Sequence, residues 1–365
     1  MFPLKRKSMR VGVACNKLGY SGGMEQYALR IIEALQRMGH TPVVFTMQVD
    51  SSLPISQQIE VHVCPNLYRW LPHKLNVVRF NHWIKNTREI VPVDFMISCC
   101  LAITAEIATC GGTRLGFLSA MHRSPVVIDN WIINLEKEMY SNARLVVAHS
   151  MQMRAELQTL YRVNPKRISV IYPPRTFISP SYKKNRLQLR REWNLPEDRT
   201  LFLFPSSSHR RKGIALLRRY FENTPYAELL VVAGRPLEYP FKNSRYVGFC
   251  RDMPELYRAC DYTVLASSYE PLGMVGAESV CCGTPAIMGS NIGCCEILDS
   301  RAVMKFDVNS DEDFARKMAI VRNGPMHLSP PYQQYVSKLA NLTAEEHVFE
   351  MLELYKQTKL TSRLK

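Results

Sequence analysis

Two glutamates in the C-terminal half of the sequence, Glu270 and Glu278, have a spacing that suits ligand binding. Seven residues separate them, and they follow a short apolar run that ends at Ala266. Gly273, between them, lets the backbone approach a ligand closely and begins a helix whose first N–H groups can receive a phosphate. Glu278, further along that helix, can reach a pair of ribose hydroxyls. A solvated pair of glutamates is the alternative, but the neighbouring Pro, Gly and Gly-Thr-Pro residues favour a ligand site.

A basic run, Arg210-Arg211-Lys212-Gly213, follows the strand-like residues Leu201 to Phe204. On its own, such a run is as typical of a solvated surface or a nucleic-acid contact as of a binding site. Its position after a strand and before a helix favours phosphate. Arg211 and Lys212 are therefore candidates for neutralising the negative charge of a phosphate.

An alternation of strands and helices must position both motifs. Strand-like Val11 to Cys15, a glycine-bearing loop, a helical pattern closed by Gly39 and strand-like Pro42 to Thr46 form a βαβ unit. Similar series fill both halves of the chain. They predict an α/β fold with two doubly wound domains that face each other across a cleft, and ligands at the carboxyl ends of the strands. The other predicted strands are Asp94–Ser98, Leu145–His149, Ile168–Tyr172, Leu201–Phe204, Glu228–Ala233, Tyr246–Phe249 and Tyr262–Ala266.

Three further segments have a predicted structure. Ser150 is the expected N-cap of a helix over Met151–Tyr161. The apolar stretch Phe95–Cys110 is too short to span a bilayer and is interpreted as a buried strand running into a helix. The segment Pro173–Asp198 is rich in Pro, Ser and charge, so the domain linker is expected there.

The composition limits the class of protein. A length of 365 residues exceeds one usual core, and 46% apolar with 22% charged residues is ordinary for a globular protein. The net charge of +15 suits nucleic acid, an anionic membrane surface or phosphorylated substrates as partners. The eleven cysteines include adjacent pairs in apolar runs and are interpreted as reduced, buried thiols of a cytosolic protein. The first ten residues are basic without an apolar stretch, so no secretory signal is expected.

The motifs resemble those of a known family. Glu-Pro-x-Gly-x-x-x-x-Glu followed by Gly-x-Pro resembles the E-x7-E signature of the retaining glycosyltransferases of family 4, which have the GT-B fold. Arg211-Lys212-Gly213 resembles the basic element that holds the donor diphosphate, although Pro205-Ser206-Ser207-Ser208 stands where many members have Gly-Arg-Leu. Gly22-Gly23 resembles the family's N-terminal glycine loop, and Gly248-Phe249 resembles the segment that holds the nucleobase. Within the family, the motifs resemble those of the lipopolysaccharide-core branch in particular.

The resemblance implies a GT-B fold with Rossmann-like domains at 1–175 on the acceptor side and 176–345 on the donor side, and a C-terminal helix at 346–365 that packs back toward the first domain. It implies front-face attack, in which the leaving phosphate takes the acceptor proton and Glu270 holds sugar hydroxyls. No metal motif of the D-x-D type is visible, so neither a metal nor a cofactor is expected. The implied catalytic residues are Glu270, Arg211, Lys212 and His122; the donor-binding residues are Gly22, Gly23, Gly248, Phe249, Leu272, Gly273, Met274, Val275 and Glu278; Glu25 is placed on the acceptor side.

The resulting hypothesis is a retaining transferase that moves a hexose or N-acetylhexosamine from a nucleotide sugar, UDP-linked in the first instance, to a glycan or glycolipid such as the lipopolysaccharide core. No nucleic-acid partner is expected. Other enzymes with the GT-B fold, such as nucleotide-sugar epimerases, are one alternative, but no second acid-base cluster is visible. A non-enzymatic binder of anionic polymers is another, and only the charge supports it.

The segment Leu67–Arg88 combines Trp and Tyr with Lys and Arg. That composition is typical of a segment at a membrane interface, and it suits a cytoplasmic protein bound peripherally to the inner membrane. A helix that packs its aromatic residues inward and its charges outward explains the same composition.

Overall fold

The computed structural model describes residues 8–20, 22–65, 73–174, 184–250, 252–338 and 342–363. The chain forms two compact units. The N-terminal unit consists of Met1–Pro174 together with Leu342–Lys365, and the C-terminal unit consists of Arg175–Asn341.

The N-terminal unit is built on a parallel sheet of seven strands in the order β3-β2-β1-β4-β5-β6-β7. Because parallel strands need crossover connections, helices link most of the successive strands. The strands are β1 (Arg10–Leu18), β2 (Thr41–Val49), β3 (Glu60–Val63), β4 (Phe95–Ser98), β5 (Ile107–Cys110), β6 (Leu145–Ala148) and β7 (Ile168–Val170), and the helices are α1 (Gly23–Arg37), α2 (His73–Ile90), α3 (Arg114–Ala120), α4 (Val127–Asn142) and α5 (Met151–Thr159).

The first βαβ unit is confirmed, and its pattern explains the core. Helix α1 buries Tyr27, Ile31 and Leu35, which recur every four residues and form one face toward the sheet. Gly39, with φ +81°, follows the helix end in the left-handed conformation. Ser150 caps α5 as expected, because its side chain accepts a hydrogen bond from the Met153 N–H.

The C-terminal unit contains a parallel sheet of six strands in the order β10-β9-β8-β11-β12-β13. The crossovers reverse direction at β8, so the topological switch point lies between β8 and β11. The helices here are α6 (Arg186–Glu192), α7 (Ile214–Asn223), α8 (Met253–Ala259), α9 (Met274–Cys281) and α10 (Asp311–Asn323), and the strands are β8 (Thr200–Ser206), β9 (Glu228–Gly234), β10 (Ser244–Tyr246), β11 (Tyr262–Leu265), β12 (Ala286–Gly289) and β13 (Val303–Phe306). Together the two sheets confirm the predicted fold class.

The last helix, α11 (Ala344–Arg363), packs on the N-terminal unit. Its residues Val348, Met351 and Leu352 are buried in the same core as α1. His347 is also buried; its Nε2 lies 2.9 Å from the Tyr27 hydroxyl and its Nδ1 lies 3.1 Å from the Tyr172 carbonyl oxygen. The carbonyl can only accept, so Nδ1 carries the proton and Nε2 accepts from Tyr27.

Two predictions about elements were wrong. Phe95–Cys110 is not a strand running into a helix: it contains β4 and β5, joined by a loop. Cys99, Ala102 and Ala105 lie in that loop and are buried, so their apolar pattern resembles that of regular secondary structure. The strand predicted over Tyr246–Phe249 is in fact β10 and ends at Tyr246. The boundary between the two units, at Pro174 and Arg175, lies inside the segment Pro173–Asp198 in which the linker was expected, and α6 follows it within that segment.

The aromatic residues in the described part of the segment 67–88 point inward. Phe80 is buried, and Trp83 stacks on it with a centroid distance of 5.8 Å. Trp83 also meets Phe45 edge-on. Residues 67–72 lie outside the described residues, so the prediction of a membrane contact is untested there. Across the described ranges, no helix is both long enough and apolar enough to cross a bilayer.

Candidate functional site

Two loops of the C-terminal unit meet at the switch point. The first follows β8 and carries Arg211, and the second follows β11 and carries Glu270. Arg211 Nη1 donates to Glu270 Oε2 at 2.8 Å and to the Tyr269 carbonyl at 2.7 Å. The Arg211 carbonyl in turn accepts from the Ser268 N–H at 2.9 Å. The loops are thus joined by a partly buried ion pair and by backbone contacts.

Lys212 is a buried cation beside this ion pair. Its residue surface is only 9% exposed, and Nζ donates to the Pro205 carbonyl at 2.9 Å. Burial lowers the pKa of Lys212, while the Glu270 carboxylate acts in the opposite direction. An ammonium group has three donors, and within the described ranges this one has a single protein acceptor. Two buried N–H groups are therefore available for an anion.

The position after Lys212, occupied by Gly213, requires a glycine. It has φ +81° and precedes the first residue of α7. A Cβ at this position would lie 2.0 Å from the Ala266 carbonyl oxygen, at the end of β11. Only a glycine permits the two loops to approach so closely.

The second loop leads into α9. Gly273 adopts φ +72° directly before α9, whose N-terminus carries a partial positive charge at the same edge of the sheet. Leu272 and Gly273 are buried, whereas Met274 and Val275 are partly exposed. The Gly293 N–H donates to the Glu270 carbonyl at 3.1 Å, and a Cβ on Gly293 would lie 2.0 Å from the Pro271 carbonyl oxygen. This contact fixes the backbone between Glu270 and α9.

Glu278 lies on α9 and contacts a residue that the sequence did not indicate as functional. The hydroxyl of the buried Tyr257 donates to Glu278 Oε2 at 3.1 Å. Within the described part of the chain, Glu278 Oε1 accepts no hydrogen bond. The contact joins residues 21 positions apart, so neither periodicity nor motif spacing could reveal it.

A third loop follows β10 and carries Gly248 and Phe249. Gly248 has φ +86°, and its carbonyl accepts from the Gly234 N–H at 2.8 Å. Phe249 is 77% exposed, so its ring is available to a ligand. All three loops leave the sheet at the carboxyl ends of their strands, where ligands of doubly wound sheets bind.

The remaining predicted site residues belong to the N-terminal unit. Gly22 precedes α1, and a Cβ on it would lie 2.4 Å from Glu25 Oε2. The Glu25 carboxylate therefore already lies against the start of the helix, beside the glycines that the family resemblance assigned to donor binding. Gly23 has open space around it within the described ranges. His122 is exposed just after α3, with φ +50°.

Comparisons with known proteins agree with these observations. Residues 21–175 match the family profile of Glycosyltransferase Family 4, and residues 185–341 match that of Glycosyl transferases group 1. The chain is 41% identical over 303 residues to a probable transglycosylase of Burkholderia thailandensis, covering 82% of each protein.

Solved structures share the fold of the whole chain. One is WaaG, a glycosyltransferase involved in lipopolysaccharide biosynthesis, with a TM-score of 0.75 at 17% identity over 97% of this chain and 99% of that chain. Another is HepE of Anabaena in complex with UDP-glucose, with a TM-score of 0.66 at 16% identity over 98% and 100% of the two chains. At these identities the likeness shows the fold.

Proposed function

The chain belongs to the GT-B glycosyltransferases that combine a family 4 domain with a group 1 domain, and we propose that it transfers a hexose or N-acetylhexosamine from a nucleotide sugar to a glycan with retention of configuration. One observation carries the proposal. At the switch point of the C-terminal unit, Arg211, the buried Lys212 and the N-terminus of α9 converge. That is the arrangement a diphosphate requires.

The diphosphate is the leaving group, so negative charge builds on its oxygens as the glycosidic bond breaks. The two available N–H groups of Lys212 are held in a buried site, where a charge interacts more strongly than in water. Arg211 uses Nη1 to hold the loop, and within the described ranges its Nε and Nη2 have no protein acceptor. Both groups stabilise the departing phosphate without a metal, so we propose that transfer needs none.

Glu270 is oriented for binding rather than for nucleophilic attack. Its Oε2 accepts from Arg211, and the Ser267 hydroxyl lies 3.4 Å away. A carboxylate held by a guanidinium is a weak nucleophile but a good acceptor for sugar hydroxyls. The acceptor proton then passes to the departing phosphate oxygen, on the same face of the sugar that the acceptor attacks.

The other donor contacts follow from the three loops. Glu278 binds the ribose hydroxyls, and the Gly248-Phe249 turn binds the nucleobase. We propose a UDP-linked donor, which the HepE structure with UDP-glucose supports at the level of the fold. Leu272, Gly273, Met274 and Val275 place the first turn of α9 against the diphosphate.

The N-terminal unit supplies the acceptor side, with His122 and Glu25 as its contacts. We propose a lipid-linked glycan of the lipopolysaccharide-core type as acceptor, which the fold of WaaG supports. An exposed apolar patch lies a few residues after His122: Val127 is 73% exposed and Trp131 is 49% exposed. The exposed Arg123 lies between His122 and this patch. An exposed Trp and an exposed Arg in the same segment suit an anionic lipid surface on the cytoplasmic face of the inner membrane.

An ion pair holds this patch in place. Asp129 is fully buried; its Oδ1 accepts from Arg114 Nη2 at 2.6 Å and its Oδ2 accepts from the Val126 N–H at 3.2 Å. The turn that exposes Val126 and Val127 is thus fixed by a buried charge pair. A fixed turn can present apolar side chains to lipid without an ordering cost at each encounter.

Calorimetric titration with UDP-, GDP- and ADP-linked sugars tests the donor site. We expect one nucleotide sugar to bind, and Lys212→Met and Glu278→Ala to weaken it by about 10- to 100-fold. Arg210→Met is the matched control, because Arg210 is the exposed cation beside Arg211. If no nucleotide sugar binds at millimolar concentration, the proposal fails. If Arg210→Met weakens binding equally, the basic surface acts as a general anion binder.

Sedimentation with vesicles containing phosphatidylglycerol tests the lipid surface. We expect Trp131→Ser to reduce vesicle binding by about 10-fold, which is the scale of one interfacial aromatic side chain. Ile90→Ser is the control, because Ile90 is another exposed apolar residue of the same unit. Equal losses in both variants, or no binding by the wild type, would remove the membrane from the proposal.

A further inference from the structure

Tyr257 is a buried tyrosine of α8 whose hydroxyl contacts the binding residue Glu278. The ring is 1% exposed, and the hydroxyl donates to Glu278 Oε2 at 3.1 Å. Burial raises the pKa of Tyr257 well above its ordinary value, and the Glu278 charge raises it further. The hydroxyl therefore keeps its proton at neutral pH and is a donor to the carboxylate.

A buried polar network fixes the backbone of Tyr257. Its carbonyl accepts from the Thr284 hydroxyl at 2.8 Å, and the Thr284 carbonyl lies 2.8 Å from the Ser279 hydroxyl. The Ser279 hydroxyl also lies 2.7 Å from that of Thr263, on β11. Thr263, Ser279 and Thr284 are each fully buried. The network joins α8, α9 and β11, and Thr284 belongs to the Gly-Thr-Pro motif after α9.

We propose that Tyr257 is a positioning residue that sets the affinity of the site for a ribonucleotide through Glu278. This inference rests on the proposed donor site, because it requires that Glu278 binds ribose. The hydroxyl occupies Oε2 and holds the carboxylate in one rotamer. Oε1, which accepts no protein hydrogen bond within the described ranges, then faces the ligand. The ribose diol thus meets an acceptor that is already oriented, so less side-chain entropy is lost on binding.

The physical argument predicts a dependence on the ribose hydroxyls. Without the tyrosine hydroxyl, the Glu278 side chain is free to rotate, and a hydrogen bond to a charged group is lost from the bound state. The expected weakening of nucleotide binding is about 10-fold. A nucleotide that lacks both ribose hydroxyls gains nothing from an oriented Glu278, so its affinity should not change.

The test measures the binding of UDP, GDP and ADP by calorimetry, and then of the 2′,3′-dideoxy form of the nucleotide that binds. Tyr257→Phe keeps the ring and removes only the hydroxyl. Tyr262→Phe is the matched control: Tyr262 is also buried in the C-terminal unit, but its hydroxyl accepts from the Met326 N–H and does not contact Glu278. Thr284→Val provides a second variant that loosens the backbone of Tyr257 without touching its ring.

We expect Tyr257→Phe to weaken the ribonucleotide by about 10-fold, Thr284→Val to weaken it less, and both to leave the dideoxy form unchanged. Combining Tyr257→Phe with Glu278→Gln should add nothing to the Glu278→Gln effect, since the first residue acts through the second. Equal weakening of both nucleotide forms would reduce Tyr257 to general support of the fold, and no weakening would refute the inference. If no nucleotide binds to the wild type, the proposed donor site fails first.

Discussion

Three glycines of the C-terminal unit allow the cost of a positive φ to be separated experimentally from the cost of a steric clash with an added Cβ. Gly248 has φ +86°, and no described atom lies within 4 Å of a Cβ built on it. Gly293 does not have a positive φ, but its Cβ would lie 2.0 Å from the Pro271 carbonyl oxygen. Gly213 combines both features, with φ +81° and 2.0 Å to the Ala266 carbonyl oxygen. The three positions form a natural factorial series for substitution by alanine.

The magnitudes follow from the two physical terms. The left-handed conformation destabilises an alanine by about 1–2 kcal/mol. Replacing glycine by alanine also lowers the conformational entropy of the unfolded chain, which stabilises the folded protein by about 0.4–1 kcal/mol. Gly248→Ala should therefore destabilise by about 0 to 1.6 kcal/mol. Gly293→Ala forces backbone to move, which costs about 1–3 kcal/mol, again reduced by the unfolded-state term. Gly213→Ala should approach the combined cost, about 2–4 kcal/mol.

Native-state hydrogen exchange of the amides in β8 and β11 measures the free energy of opening for this unit alone. The expected order is Gly248→Ala, then Gly293→Ala, then Gly213→Ala. A Gly213→Ala variant no less stable than Gly248→Ala would refute the reasoning, because it would mean that the loops after β8 and β11 are not held in close approach.

Three further predictions concern ionisable groups. Burial lowers the pKa of His149 to about 3 and that of His347 to about 4. Below the ordinary value of 6.5 the unfolded state therefore binds more protons than the folded state, and the free energy of unfolding should fall as the pH drops from 6.5 toward 3. His149→Gln should make the free energy of unfolding, measured in urea, less dependent on pH in this range. Burial raises the pKa of Glu136 to about 7, so its contribution is present below pH 4.5 and lost as the pH rises through 7. Glu136→Gln should stabilise the protein by up to about 3 kcal/mol at pH 8 and have no effect at pH 4. Lys212→Met should raise the midpoint of thermal unfolding, because it removes a buried cation, and should weaken binding of the donor nucleotide sugar. A lower midpoint would contradict that account.

The sequence predicted the doubly wound fold because its buried strands are continuous apolar runs. It failed where apolar residues fill a loop: Cys99, Ala102 and Ala105 are buried between β4 and β5 without belonging to either strand. It also failed at Phe249, where an aromatic residue suggested a strand but the ring lies exposed in a turn.

The candidate site was predictable to the extent that it depends on local motifs. Arg211 and Glu270 stood out because each follows a strand, and neighbouring parallel strands bring their carboxyl ends together. Tyr257 was invisible in the sequence because its role depends on a side-chain contact between two helices. The burial of Lys212 was equally invisible, since a basic run is exposed in most proteins.

The N-terminal unit is formed by two separate stretches of the chain, which has a consequence for synthesis on the ribosome. Its sheet is complete at Val170, but α11, which buries Val348, Met351 and Leu352 against α1, is translated only after the C-terminal unit. Until then the apolar surface that α11 covers remains open to solvent. The C-terminal unit is continuous from Arg175 to Asn341 and leaves the ribosome whole before that surface is closed. The half of the protein that is made first is therefore the half that finishes folding last.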